Sequence, residues 1–183
     1  MKIVGEQTLP APRERVWKLL NDPQRLSRLI PGCEKLEQAG PNEYSGTITV
    51  GIAAVKGVYS GRLKMEEIRP PEHYKLVVEG KGKQGFLNGS GTLDLAAQGT
   101  AQTLVKYSGD LQIGGPLIQV GQRMIDSAAR MLTGQFFAAA EAELKAEAQG
   151  AVARHGFFLN FLRHLWRLIK SLFGPRPTGS AGA

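Results

Sequence analysis

The sequence predicts an α+β protein in which a curved antiparallel sheet of about seven strands wraps around one long C-terminal helix. Two short helices follow the first strand, and an amphipathic helix forms the tail. Three observations carry the prediction. Residues from about Glu34 to Ile113 form strand-length runs separated by turn signals. Residues from about Pro116 to Glu147 give the longest stretch with apolar side chains at helical spacing. The last part of the chain carries a basic, aromatic segment with no acidic residue.

The elements follow in order. KIVGEQTL, from Lys2 to Leu9, reads as a short strand, and Ala11-Pro12 then opens a helix that runs to Asn21, with proline near its first turn. Asp22-Pro23 starts a second short helix through about Leu29, and Ile30-Pro31-Gly32-Cys33 turns the chain sharply into the sheet. Turn signals at Ala39-Gly40-Pro41-Asn42, Lys56-Gly57, Arg69-Pro70-Pro71-Glu72, Lys83-Gln84-Gly85 and Gln98-Gly99-Thr100 space the strands as an antiparallel meander. Alternation then assigns the faces. Val105, Tyr107, Leu111 and Ile113 share one phase, while Lys106, Ser108, Asp110 and Gln112 share the other. The same phase gives an inward set of Tyr44, Ile48, Val50, Ile52, Tyr59, Leu63, Met65, Tyr74, Leu76, Val78, Leu87, Leu93 and Leu95. Along the long helix, Leu117, Val120, Met124, Ile125, Ala128, Met131, Leu132 and Phe136 fall on one side. Phe137 and Leu144 fall on the outward side, where they would mark a surface for a partner or for the tail.

Gly46, Gly61, Gly80, Gly89, Gly91 and Gly109 all take the inward phase, where glycine weakens a strand and packs against nothing. Two readings stay open. Glycine kinks let a sheet bend around a helix, and small residues on the dry face leave room for an apolar ligand. No Asp, Glu, Lys or His is in the inward set, so a buried acid or base has no candidate and catalysis is not expected. The tyrosines there read first as packing residues with their hydroxyls at the rim. Cys33 is the single cysteine, so no internal disulfide forms, and no neighbouring histidine marks it as a nucleophile. His73, His155 and His164 lie too far from it and from one another for a familiar zinc spacing, and no metal is expected. The opening MKIVGEQTLPAPRERVW lacks the apolar run of a secretory leader, which points to the cytoplasm.

Net charge is +7, but residues 151–183 hold five basic and no acidic side chains, leaving 18 basic and 16 acidic to residues 1–150. That balance lacks the basic stripe of a duplex-binding domain, and no nucleic-acid partner is expected. The tail reads as a membrane-binding element. Phe157, Phe158, Phe161, Leu162, Leu165, Trp166, Ile169, Leu172 and Phe173 supply the apolar face of a helix over 157–173, with Arg163, Arg167 and Lys170 on its polar stripe. Three cations in so short a segment cost about 2.5–3.5 kcal/mol each at the bilayer centre, which disfavours a span. In the interface each gains about 1 kcal/mol near anionic lipid. The expected organisation is a sheet-and-helix domain over 1–149, a linker over 150–156, the membrane-associating helix over 157–173 and a disordered end over 174–183. Docking of the tail helix in a protein groove is the rival reading.

KIVGEQTLPAPRERVWKLLNDP, Leu29-Ile30-Pro31-Gly32-Cys33-Glu34, Val55-Lys56-Gly57-Val58-Tyr59-Ser60-Gly61, the glycine-rich stretch from Gly80 to Gly91, and Gly114-Gly115-Pro116-Leu117-Ile118-Gln119-Val120-Gly121-Gln122-Arg123 together resemble the carbon monoxide dehydrogenase G-subunit family, part of the START-like (SRPBCC) helix-grip superfamily. The resemblance covers residues 1–145. It implies a helix-grip fold around an apolar cavity and a non-catalytic accessory protein that attaches a soluble, molybdenum-containing carbon monoxide dehydrogenase to the inner face of the cytoplasmic membrane. The chain lacks the cysteine sets of iron–sulfur clusters and a Gly-rich dinucleotide fingerprint. Beyond the resemblance, a dehydrogenase that feeds a respiratory chain suggests a quinone, menaquinone or ubiquinone, as the small molecule in the cavity. Its expected site lies between Leu117, Val120, Met124 and Met131 on the helix and Tyr59, Leu63, Leu87 and Tyr107 on the sheet, entered near Leu29, Ile30 and Gly114-Gly115. A lipid or hydrophobic-metabolite carrier with the same cavity, needing no dehydrogenase, is the alternative of a different class.

Overall fold

Alternation of apolar and polar residues over strand-length runs builds the sheet. The computed structural model describes residues 1–52 and 55–172, with side chains described through residue 150. The first strand, β1 (Lys2–Leu9), leads into α1 (Arg13–Asn21) and α2 (Pro23–Leu29). Then come β2 (Cys33–Gly40), β3 (Glu43–Val50), β4 (Gly57–Arg69), β5 (His73–Gly82), β6 (Gly85–Gln98) and β7 (Gln102–Gly114). All seven strands form one antiparallel sheet in the order β1-β7-β6-β5-β4-β3-β2, a meander that β1 completes by pairing with the last strand. The Asp22 carboxylate accepts from the Gln24 and Arg25 backbone N–H groups at 2.9 and 3.2 Å, which starts α2 where the Asp-Pro pair predicts it.

The sheet curves around a long helix, α3 (Gln122–Leu172). The helix begins later than periodicity predicts. Residues Gly115–Val120 form a 3-10 segment, and Gly121, at φ 87°, separates it from α3, so Leu117 and Val120 are not on the helix. Its buried face also differs. Ile125, Ala128, Phe137, Ala140 and Leu144 are buried, whereas Met124 and Met131 are 53% and 49% exposed. Phe137 and Leu144, expected to face outward, belong to the core. The physical reasons are two. The helix turns alanines toward the sheet, where close approach needs small side chains, and the five-residue step from Leu132 to Phe137 swings the stripe about 140° around the helix axis. No single helical period captures that swing.

The backbone of α3 is helical through residues 150–156, which the sequence reads as a linker, and on to Leu172. The chain divides into two compact units, Met1–Leu144 and Lys145–Ala183. The side chains expected to meet the membrane in 157–173, and the end expected to be disordered over 174–183, lie outside the described residues.

Within the first unit, one end of the sheet is solid. Leu9, Val16, Leu19, Leu20, Leu29, Leu95, Val105, Phe137, Ala140 and Leu144 form one buried cluster, in which α1 and α2 close over the ends of β1, β6 and β7. Tyr44, Met65 and Tyr74 form a second at the same end of β3, β4 and β5. Trp17 packs against both clusters, edge-on to Tyr74 with 5.5 Å between ring centroids.

Candidate functional site

At the opposite end of the sheet the inward residues become smaller or stand further apart, and a cavity of about 190 Å³ remains between sheet and helix. Its walls are Ile48 and Val50 of β3, Val55, Tyr59 of β4, Gly80 of β5, Leu87 of β6, and Leu111 and Ile113 of β7, with Met1 at the side. Leu117 of the 3-10 segment and Ile125, Ala128, Ala129 and Leu132 of α3 close it. Every lining side chain is hydrocarbon or thioether except Tyr59. The Tyr59 hydroxyl donates to the Val55 carbonyl at 2.9 Å, and burial pushes its phenol pKa up. A larger hollow of about 380 Å³ runs between β1 and the flank of α3, but Lys2, Gln7, Asp126, Arg130, Thr133 and Glu141 line it, and it lacks the dry walls that select an apolar ligand.

Glycine shapes the cavity by position. Gly46 stands opposite Gly61, and Gly61 opposite Gly80, so three glycines form a file across β3, β4 and β5. A Cβ on Gly61 would collide with the Glu79 carbonyl oxygen, so glycine there permits the close approach of neighbouring backbones that curvature demands. A Cβ on Gly80 would meet only the Leu87 carbonyl oxygen, at 3.7 Å. That position is open, and it lines the cavity. Both readings of the inward glycines therefore hold, at different residues.

Of the residues expected around a ligand, the fold brings Tyr59, Leu87 and Leu117 together on the cavity wall. Leu63 and Tyr107 point to the same side of the sheet but pack elsewhere. Leu63 lies against the Tyr44–Met65–Tyr74 cluster, and Tyr107 stacks on Phe137 with ring centroids 5.3 Å apart. Leu29 is fully buried in the solid end, Ile30 caps α2, and Val120 is half-buried where the 3-10 segment ends. Met124 and Met131 face solvent. Ile48, Val50, Leu111 and Ile113 were missed as cavity residues although strand phase turns them inward, because phase does not say which end of a strand is hollow.

The family model for the G-subunit of carbon monoxide dehydrogenase (CoxG) matches residues 5–145. The chain belongs to the CoxG family. Among solved structures, this CoxG-family chain resembles a conserved protein from Geobacillus kaustophilus at 37% identity and a TM-score of 0.78, over 80% of this chain and 96% of that one. A START superfamily protein from Mycobacterium smegmatis matches at 12% identity and a TM-score of 0.62, over 79% and 97% of the two chains. The Zhui aromatase/cyclase from Streptomyces sp. R1128 matches at 15% identity and a TM-score of 0.64, over 82% and 97%. The last two share the fold with the CoxG-family chain, and at such identity they show nothing more. No curated protein matches the chain. CoxG membership suggests hydrophobic-ligand binding, and the dry cavity has the chemistry for it.

Proposed function

We propose that this CoxG-family protein is a non-enzymatic adaptor that brings a molybdenum-containing carbon monoxide dehydrogenase to the cytoplasmic membrane and holds the ring of a respiratory quinone in its cavity. The dry cavity with one hydroxyl carries the reading. Its lining offers no carboxylate, imidazole, amine or thiol side chain, and the Met1 α-ammonium at its side is engaged by the Leu111 carbonyl and Asp110, so no side chain there supplies a general acid, a general base of that kind or a thiol nucleophile. A cavity of about 150 Å³ holds a benzene ring. By that measure 190 Å³ takes one substituted ring, and a polyprenyl chain must leave through the mouth. The Tyr59 hydroxyl is the polar side-chain group in the wall, and it meets a quinone carbonyl by sharing or turning its one proton from the Val55 carbonyl. The family's name supports the dehydrogenase as partner. The membrane side rests on the basic aromatic sequence of 157–173, because no helix among the described residues is long and apolar enough to cross a bilayer.

Native mass spectrometry of the full chain, extracted gently from its own membranes, tests the ligand. Release of a quinone on denaturation is the expected result; a phospholipid in its place would favour the lipid-carrier alternative, and absence of a quinone together with no thermal stabilisation by added quinone sinks the quinone reading. Truncation at Gly156 followed by vesicle flotation tests the tail. The shortened chain is expected to stay in the lower fraction, and a shortened chain that floats as well as the full one removes the tail from this role. Co-purification with the dehydrogenase is the matching test of the partner.

A further inference from the structure

We propose that β1 is a dimerisation edge, along which a second copy of this chain adds its own β1 antiparallel and joins two sheets into one. The strand stands at the end of the sheet and pairs with β7 along one side only. Met1 and Leu111 exchange backbone bonds, the Met1 ammonium donating to the Leu111 carbonyl at 2.6 Å and the Leu111 N–H to the Met1 carbonyl at 2.8 Å. Antiparallel ladders alternate. Ile3, Gly5, Gln7 and Leu9 therefore direct their backbone groups to β7, and Lys2, Val4, Glu6 and Thr8 direct theirs away from it. Among the described residues no backbone partner meets those four on the free side.

The two edges of the sheet differ. At the other end β2 loses its register between Cys33 and Lys35 and again between Gln38 and Gly40, and α2 packs beside it. By contrast, β1 keeps register with β7 over all eight residues and contains no proline. A hollow of about 380 Å³ separates it from the flank of α3. Bulges, prolines and covering helices are the usual ways of blunting an edge, and β1 has none of them.

Its charges, which would guard the edge by repulsion, instead complement themselves. In the register centred on Val4, each Val4 lies opposite the partner's Val4, and Lys2 lies opposite the partner's Glu6 on both sides of the two-fold axis. The neighbouring strand extends the pattern, because Asp110 stands opposite Lys2 and Lys106 opposite Glu6 within each copy. Across the joint the outer face then reads Asp110, Lys2, the partner's Glu6 and the partner's Lys106, an unbroken alternation of charge. Val4, 75% exposed, is the most exposed large apolar side chain among the described residues, and this register covers it. Sliding by two residues either way sets Val4 against the partner's Glu6 or Lys2 and breaks both ion pairs. On the inner face Ile3 comes beside the partner's Gly5, where the Tyr107 ring already takes the place of a side chain. The axis runs normal to the sheet, so both copies keep their long helices on the same side. A pattern complementary to itself selects a second copy over a foreign strand.

Sedimentation velocity of the full chain, untagged at its N-terminus and run from micromolar concentrations to about 0.5 mM, reads the association; a one-strand interface is small, so a weak dimer is expected. Val4→Pro deletes a donor on the free edge and leaves every bond to β7, and it is expected to abolish the dimer while the chain stays folded by circular dichroism. Lys2→Glu and Glu6→Lys, each alone, set like charges opposite at two places and are expected to weaken association by about tenfold or more. Their equimolar mixture is expected to recover it, because each variant then meets opposite charges on the other. A chain that stays monomeric throughout the range overturns the proposal. So does a mixture that associates no better than either variant alone, and so does a dimer that persists in folded Val4→Pro. Association through the tail would be indifferent to all three substitutions. Should Val4→Pro fail to fold, the mixing experiment decides alone.

Discussion

Gly61 and Gly80 face each other across one register position of the sheet, yet they do opposite work. Gly61→Ala puts a methyl into the Glu79 carbonyl and is expected to destabilise the fold by about 1–3 kcal/mol, read by urea unfolding. Gly80→Ala meets open space and is expected to stabilise by about 0.4–1 kcal/mol, since glycine loses more freedom on folding than alanine. Gly80→Leu would project into the cavity and is expected to abolish binding of an apolar dye while leaving the protein folded. Undiminished dye binding by that variant would move the ligand elsewhere. At Tyr59, replacement by Phe leaves the Val55 carbonyl without its donor and is expected to cost about 1 kcal/mol. If a ligand carbonyl shares that hydroxyl, affinity for a quinone falls while affinity for a plain hydrocarbon dye does not.

Among the elements, the strands were legible in the sequence and the face of the long helix was not. Alternation is local, so Val105, Tyr107, Leu111 and Ile113 could be assigned inward from sequence, as could the inward glycines. The start of α2 was legible because Asp22 has a local task, and Asp22→Ala is expected to cost about 1 kcal/mol. The face of α3 depends on things a wheel does not hold: the 3-10 segment before it, the alanines chosen for close approach, and the step between Leu132 and Phe137. Tyr59 and Leu87 were found as cavity residues because strand phase was right, whereas Leu117 lines the cavity from the 3-10 segment and not from the helix to which its spacing assigned it. Met124 and Met131 were placed inward by helical spacing, and their exposure is what the helix geometry requires once alanine takes the inner line. Two substitutions separate these faces. Leu144→Ala is expected to destabilise by about 2–5 kcal/mol, and Met131→Gln by no more than about 0.5 kcal/mol.

For the first unit as a whole, the buried clusters and the cavity occupy opposite ends of the same strands. Amide exchange is expected to follow that division. Amides of β6 and β7 near Leu95 and Val105 should exchange slowest, those near Val50, Tyr59 and Ile113 faster, and an apolar ligand should slow the second group selectively. Uniform protection along each strand would mean that the cavity end is as rigid as the core. Neither the position of the cavity nor its size was legible in the sequence, because both depend on how far α1 and α2 reach along the sheet.

The solid end has a further consequence. Because Leu9, Leu19, Leu95 and Leu144 hold the sheet to its helices without help from the cavity walls, foldability and ligand choice can be inherited separately. Substitutions at Ile48, Leu87, Ile113 or Leu132 can reshape the occupant's berth in descendants of this chain while the anchoring half stays as it is. A lineage built this way can exchange one apolar cargo for another by small steps, each passing through a protein that still folds.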